Sequence, residues 1–79
     1  MRALTVEQAS RESGIDPEDI LLAFKRSELG GHWKGIDNPR ISLRSFLSFM
    51  LRRGLPLSPA LQADQSVQKI LRRLSIRRV

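Results

Sequence analysis

The chain contains no cysteine, so neither a disulfide nor a thiolate-bound metal can brace its fold, and cysteine usage leaves the redox compartment open. It has one histidine, His32, and one tryptophan, Trp33. A zinc site needs several nitrogen or sulfur ligands converging on the ion. His32 has only scattered carboxylates to join it, so neither a metal nor another cofactor is expected. A histidine with no activated nucleophile beside it also gives no general-base pair, and the sequence reads as that of a non-enzyme. Long apolar runs are missing as well. "MRALTVEQASRES" holds no stretch of signal-peptide length, and nothing later approaches the roughly 20 apolar residues of a membrane span. A soluble, cytoplasmic protein with no membrane partner is the expectation, and 79 residues allow it one small core.

Acidic residues are scarce after Leu29. Residues 1 to 28 carry four Lys/Arg against six Asp/Glu, a balance of −2; residues 29 to 57 carry +4, and the tail from Ser58 another +4, within a total of +6. Basic charge concentrated in this way is the electrostatic footprint of a nucleic-acid binder.

The amino-terminal half reads as two short helices. Thr5 and Gln8 have the spacing of a capping box, Leu4 and Ala9 that of a hydrophobic staple, and Gly14 ends a helix over Val6 to Ser13. The second start is stronger. Asp16 is placed to cap, Pro17 takes the first helical position, and Glu18 and Asp19 favour the positive end of the helix dipole. Ile20, Ala23 and Phe24 form its apolar face. Two helices joined by a glycine turn make a helix-turn-helix candidate.

Helical periodicity stops at Leu29. "GIDNPRI" supplies Gly35, Asp37, Asn38 and Pro39 as turn formers, which predicts a β-hairpin with one strand over Gly31 to Lys34 and a return strand through Arg40 and Ile41. Strand alternation sends His32 and Trp33 to opposite faces. Trp33 is expected on the core, with His32 and Lys34 outside. "GGHWKG" is no phosphate loop, because Ile36 and Asp37 follow the second glycine where lysine and a hydroxyl residue are required.

Helical spacing resumes at "SLRSFLSFMLRRG", with Ser42 as cap, Leu43, Phe46, Leu47, Met50 and Leu51 on one side and Gly54 at the stop. "LPLSP" predicts an extended link. Leu61, Val67, Ile70, Leu71 and Leu74 then predict a fourth helix, strongest from Ser66 to Leu74, with Lys69, Arg72 and Arg73 on its other side. This tail, 58–79, has three readings: a helix packed on the domain of residues 1–57, an oligomerisation helix, or an arm ordered only on DNA. The apolar spacing favours the first two. The resulting fold class is mainly α with a small β-hairpin.

"LTVEQAS", the "GI" opening the second helix, the "SEL" closing it, "PRIS" at the end of the hairpin and "FLSFMLRRGLPL" beyond it occur in an order that resembles the MerR-like winged helix-turn-helix domains of phage and mobile-element excisionases and compact transcription regulators. The resemblance covers about residues 4 to 57. It implies binding of double-stranded DNA without catalysis, the second helix in the major groove and the hairpin wing on the backbone or in the minor groove. Carried onto this chain, the second helix is Pro17 to Glu28 and the wing Gly30 to Arg40, and the DNA-binding residues are Glu18, Lys25 and Arg26 from the former, His32, Lys34, Asn38 and Arg40 from the latter, and Arg44 after it. It also implies association on adjacent DNA sites and contact with a recombinase.

One departure from the family pattern opens an alternative. Pro17, Glu18 and Asp19 stand where arginine, serine or threonine is common, and Leu22 where a polar or basic residue is usual. A carboxylate can accept a bond from a cytosine amino group but is repelled by phosphates. Glu18, Asp19 and Leu22 therefore also read as a surface for a protein partner such as a recombinase, an activator or polymerase.

Overall fold

A computed structural model describes residues 3–36 and 38–76, the side chains of 74–76 excepted. Asp37, Arg77 and Arg78 and the side chain of Leu74 thus lie outside the described residues. In chain order the elements are β1 (Ala3–Leu4), α1 (Val6–Ser13), α2 (Pro17–Lys25), β2 (Gly31–Trp33), β3 (Pro39–Ser42), α3 (Leu43–Arg52), α4 (Pro59–Ala63) and α5 (Gln65–Ile76). The molecule is mainly helical, with a small three-stranded antiparallel sheet.

Each helix begins where a side chain satisfies its free amides. The Thr5 N–H donates to Gln8 Oε1 at 2.9 Å and the Gln8 N–H to Thr5 Oγ1 at 3.1 Å, closing the capping box of α1; losing such a cap costs about 1 kcal/mol. Leu4 and Ala9, the staple pair, are both fully buried. Gly14 ends α1 at φ 75°, and two serines secure the turn that follows. Ser10 Oγ donates to the Ile15 carbonyl at 2.6 Å, and the Ile15 N–H donates to Ser13 Oγ at 3.2 Å. Asp16 then accepts from the Glu18 N–H at 2.9 Å, and Pro17 opens α2 as expected.

α2 stops earlier than the segment to Glu28 taken for the major-groove helix. After Arg26 the chain turns left-handed at Ser27 (φ 64°), the Ser27 N–H donates to the Phe24 carbonyl at 3.1 Å and the Glu28 N–H to that of Ala23 at 2.9 Å. This is the Schellman closure, and it delivers Leu29 into the core.

The sheet has the order β1-β3-β2. β1 is an addition to the expected hairpin: Ala3 pairs with Ser42 and Leu4 with Ile41. On the other edge Gly31 pairs with Ile41, His32 with Arg40 and Trp33 with Pro39. Along β3 the alternation is strict, Pro39 and Ile41 being buried while Arg40 and Ser42 turn outward. Gly31 is required where it stands. Its φ is 151°, and a Cβ there would lie 2.0 Å from the Arg40 carbonyl oxygen. Next to it the Gly30 N–H donates to Ser45 Oγ at 2.6 Å, fastening the hairpin entrance to α3.

Beyond α3 the expected extended link holds only from Leu55 to Ser58. Ser58 caps α4 by accepting from the Leu61 N–H at 3.2 Å and donates its own proton to the Glu12 carboxylate of α1. Pro59 takes the first position of this short helix, and Asp64, in extended conformation, interrupts what the sequence presented as one helix. Leu61 and Val67 are buried in the same cluster as Phe46, Leu47 and Met50, with Ile70 and Leu71 packed against it. Of the three readings of the tail, the structure displays the packed helix.

Candidate nucleic-acid interface

Because β3 alternates, its outer side is a polar strip. Arg40 lies opposite His32 across the strand pair, a distance at which side chains on one face are in contact range. Lys34 follows at the strand end, where its N–H donates to the Asn38 carbonyl at 2.9 Å while the Asn38 N–H donates to that of Gly35 at 3.2 Å. His32, Lys34 and Asn38 are exposed and Arg40 is half-buried. Asn38 and Arg40 also border a shallow depression with Thr5, Val6, Glu7 and Pro17. The turn end of the hairpin therefore borders the start of α1 and Pro17, the first residue of α2.

Trp33 does take the opposite face, but it is not buried as expected. It is 47% exposed and touches the core with its edge, its ring centroid 4.8 Å from that of Phe24 at 88°. All three residues of β2 are exposed. Ile36, at the hairpin end, is 97% exposed.

On α2 the buried residues are Ile20, Ala23 and Phe24. Glu18, Leu22 and Lys25, four and three residues apart, share the face turned away from them. Leu22 is 46% exposed. Arg26 departs from the set assigned to the DNA face: with Asp19 and Leu22 it borders a depression against Phe49 and Arg53 of the α3 end. There the Arg53 guanidinium lies 4.4 Å from the Phe49 ring centroid and 3.2 Å from Glu28 Oε1. Arg53 thus ties the end of α3 to the turn that follows α2.

Arg44 also departs from the wing. It sits in the first turn of α3 and faces Lys69 and Arg73 of α5 across a groove. The expected residues thus divide among the hairpin and its base (His32, Lys34, Asn38, Arg40), the outer face of α2 (Glu18, Leu22, Lys25), the α2–α3 depression (Asp19, Leu22, Arg26) and the α3–α5 groove (Arg44). Among the described residues no carboxylate forms an ion pair with Lys34, Arg40 or Arg44. Ser45, which positions the hairpin, escaped the sequence reading because its partner is fifteen residues away and no local spacing marks it.

Among the described residues no three of His, Asp and Glu gather as metal ligands, and no helix is long and apolar enough to cross a membrane. Compared with models of protein families, with curated proteins and with solved structures, the chain matches none.

Proposed function

We propose that this is a small DNA-binding protein of winged helix-turn-helix type, acting by binding alone as an excisionase-like architectural factor or a transcription regulator. The single observation that carries the reading is the His32–Arg40 pair on the outer sheet face, extended by Lys34 and adjoining the start of α2. In this reading α2 enters the major groove and the hairpin follows the backbone or the adjacent minor groove. The hairpin cations supply most of the attraction through phosphates, which confers affinity with little sequence choice. The test is a salt-titrated gel shift with random and genomic duplexes. Binding should fall steeply with salt, and Lys34→Glu with Arg40→Glu should weaken it on all sequences alike. A flat salt response, or no shifted duplex at low salt, refutes the reading.

A second reading rests on Leu22. An apolar side chain half exposed on the face opposite the core, flanked by Glu18 and Asp19, suits a protein partner such as a recombinase or polymerase. Leu22→Ser is its test: on this reading the variant loses the partner and keeps its affinity for DNA.

A further inference from the structure

Outside the hairpin, three cations line a single groove. In α5, Ser66, Lys69, Ile70 and Arg73 fall three, four and seven residues along from the first, which places them on one helical face. Ile70 is half-buried against the core while Lys69 and Arg73 are exposed, so this face lies at the edge of the packed side and borders the domain. The opposite wall is the junction of β3 and α3: Ser42, Leu43 and Arg44. Between the walls runs an open groove of about 290 Å³ whose lining holds three cations, two hydroxyl residues and no carboxylate. None of the three cations has an acidic partner among the described residues.

Three like charges turned toward one groove repel one another, and a bound anion converts that repulsion into attraction. The groove also continues the polar strip of the hairpin. Ser42 stands two residues after Arg40 on the same face of β3, an advance of roughly 7 Å. That is close to the axial rise of two nucleotides along one DNA strand, ~3.4 Å each.

We propose that the groove formed by Arg44, Lys69 and Arg73 binds a backbone phosphodiester of the same duplex that the hairpin contacts. The inference rests on the DNA-binding reading and adds to it a third contact, made by the tail. Arg44 and Arg73 donate to the phosphate oxygens in forked geometry and Lys69 acts as a point charge. The hydroxyls of Ser42 and Ser66 are additional donors. The contact is blind to sequence, so its loss weakens binding to every duplex in equal proportion.

The experiment compares the full chain with two triple variants that remove equal charge. One is Arg44→Ala, Lys69→Ala, Arg73→Ala; the other is Arg11→Ala, Arg52→Ala, Arg72→Ala, three exposed cations outside the groove. Circular dichroism and melting establish that both are folded. Should the groove triple melt early, Arg44→Lys with Arg73→Lys replaces it, keeping the charge and removing the forks. The groove triple should lower the slope of log K against log salt by about 1 and lower affinity roughly tenfold near 0.1 M salt. The control triple should change either by much less. If the lysine pair is needed, it should keep the slope and lose several-fold in affinity.

Equal losses in the two triples would show that total charge alone matters and would overturn the proposal. So would unchanged binding by the groove triple, or by the lysine pair, while Lys34→Glu with Arg40→Glu still abolishes it; that result leaves the hairpin reading intact. Loss in the groove triple with no loss in the hairpin variant would keep the groove and refute the wing. Should the full chain bind no duplex, both readings fall.

Discussion

The Phe24 and Trp33 rings meet edge to face with centroids 4.8 Å apart, and this is where a half-exposed hairpin strand is fixed to the second helix. Edge-to-face pairs contribute ~0.5–1.5 kcal/mol beyond the area they bury. Trp33→Ala should therefore destabilise the fold by about 1–2 kcal/mol in urea denaturation followed by circular dichroism, while Trp33→Phe keeps most of that stability. A Trp33→Ala chain as stable as the parent would show that the ring does not anchor the hairpin.

Ser27 and Gly54 occupy the same place in two copies of one closure. Each is the left-handed residue after a helix, at φ 64° and 67°, and each is followed by a residue whose N–H reaches back into the last turn, Glu28 to Ala23 and Leu55 to Met50. Only one of the two is glycine. The left-handed conformation costs a residue with a Cβ roughly 1–2 kcal/mol, and part of that returns as added freedom in the unfolded chain. Ser27→Gly should stabilise the protein by about 0.5–1 kcal/mol, read as a raised melting temperature. Gly54→Ser should do the reverse.

Gly31→Ala is expected to be the most damaging small substitution in the hairpin. The added methyl meets the Arg40 carbonyl at 2.0 Å in a backbone conformation that disfavours it, and relief requires the two strands to part. A loss of about 2–3 kcal/mol is expected, with reduced protection from hydrogen exchange at the Lys34 and Ser42 amides, which donate across the strand pair. Gly35→Ala is the control, since a Cβ there has only Asn38 Cβ at 4.0 Å.

Acid should act through Asp64. Partial desolvation raises its pKa, but the Ser66 and Val67 N–H groups donate to Oδ1 at 2.8 and 3.4 Å and hold the carboxyl below its ordinary range. A depressed folded-state pKa contributes stability that is fully present above the unfolded value, near 4, and is lost as pH falls through the folded one. The melting temperature should fall below about pH 4, and Asp64→Asn should remove part of that fall. Identical acid profiles for the two proteins would exclude Asp64 as a contributor.

Glu18→Lys separates the two functional readings. Converting an acidic group on the outer face of α2 to a cation should raise duplex affinity several-fold at low salt and steepen the salt slope by about 1. The same change should damage a protein contact made through Glu18 and Leu22. A variant that binds duplex more weakly than the parent would instead mark Glu18 as a reader of bases.

Features decided by neighbours in the chain were legible in the sequence. The Thr5–Gln8 box, the Asp16–Pro17 start, the Ser42 cap and the Gly54 stop are each set within a few residues, and all stand where their spacing puts them. Features decided by distant partners were not. Two residues of β1 carry no periodicity and become a strand only because β3 offers an edge. The break at Asp64 was hidden because Leu61 and Val67 reach the core from either side of it, imitating a single helical face. Ser27 gave no warning because serine seldom takes a left-handed cap. The alternation of His32 and Trp33 was readable, whereas the exposure of Trp33 depends on how much of its ring meets Phe24 of another element.

The burial of Leu61 and Val67 has a thermodynamic corollary. With its apolar side already seated in the core, α5 brings Lys69 and Arg73 to fixed positions before any ligand arrives, so ordering the tail is part of folding and not of association. Duplex binding should then proceed without a rise in helix content and without the large negative heat-capacity change that accompanies coupled folding.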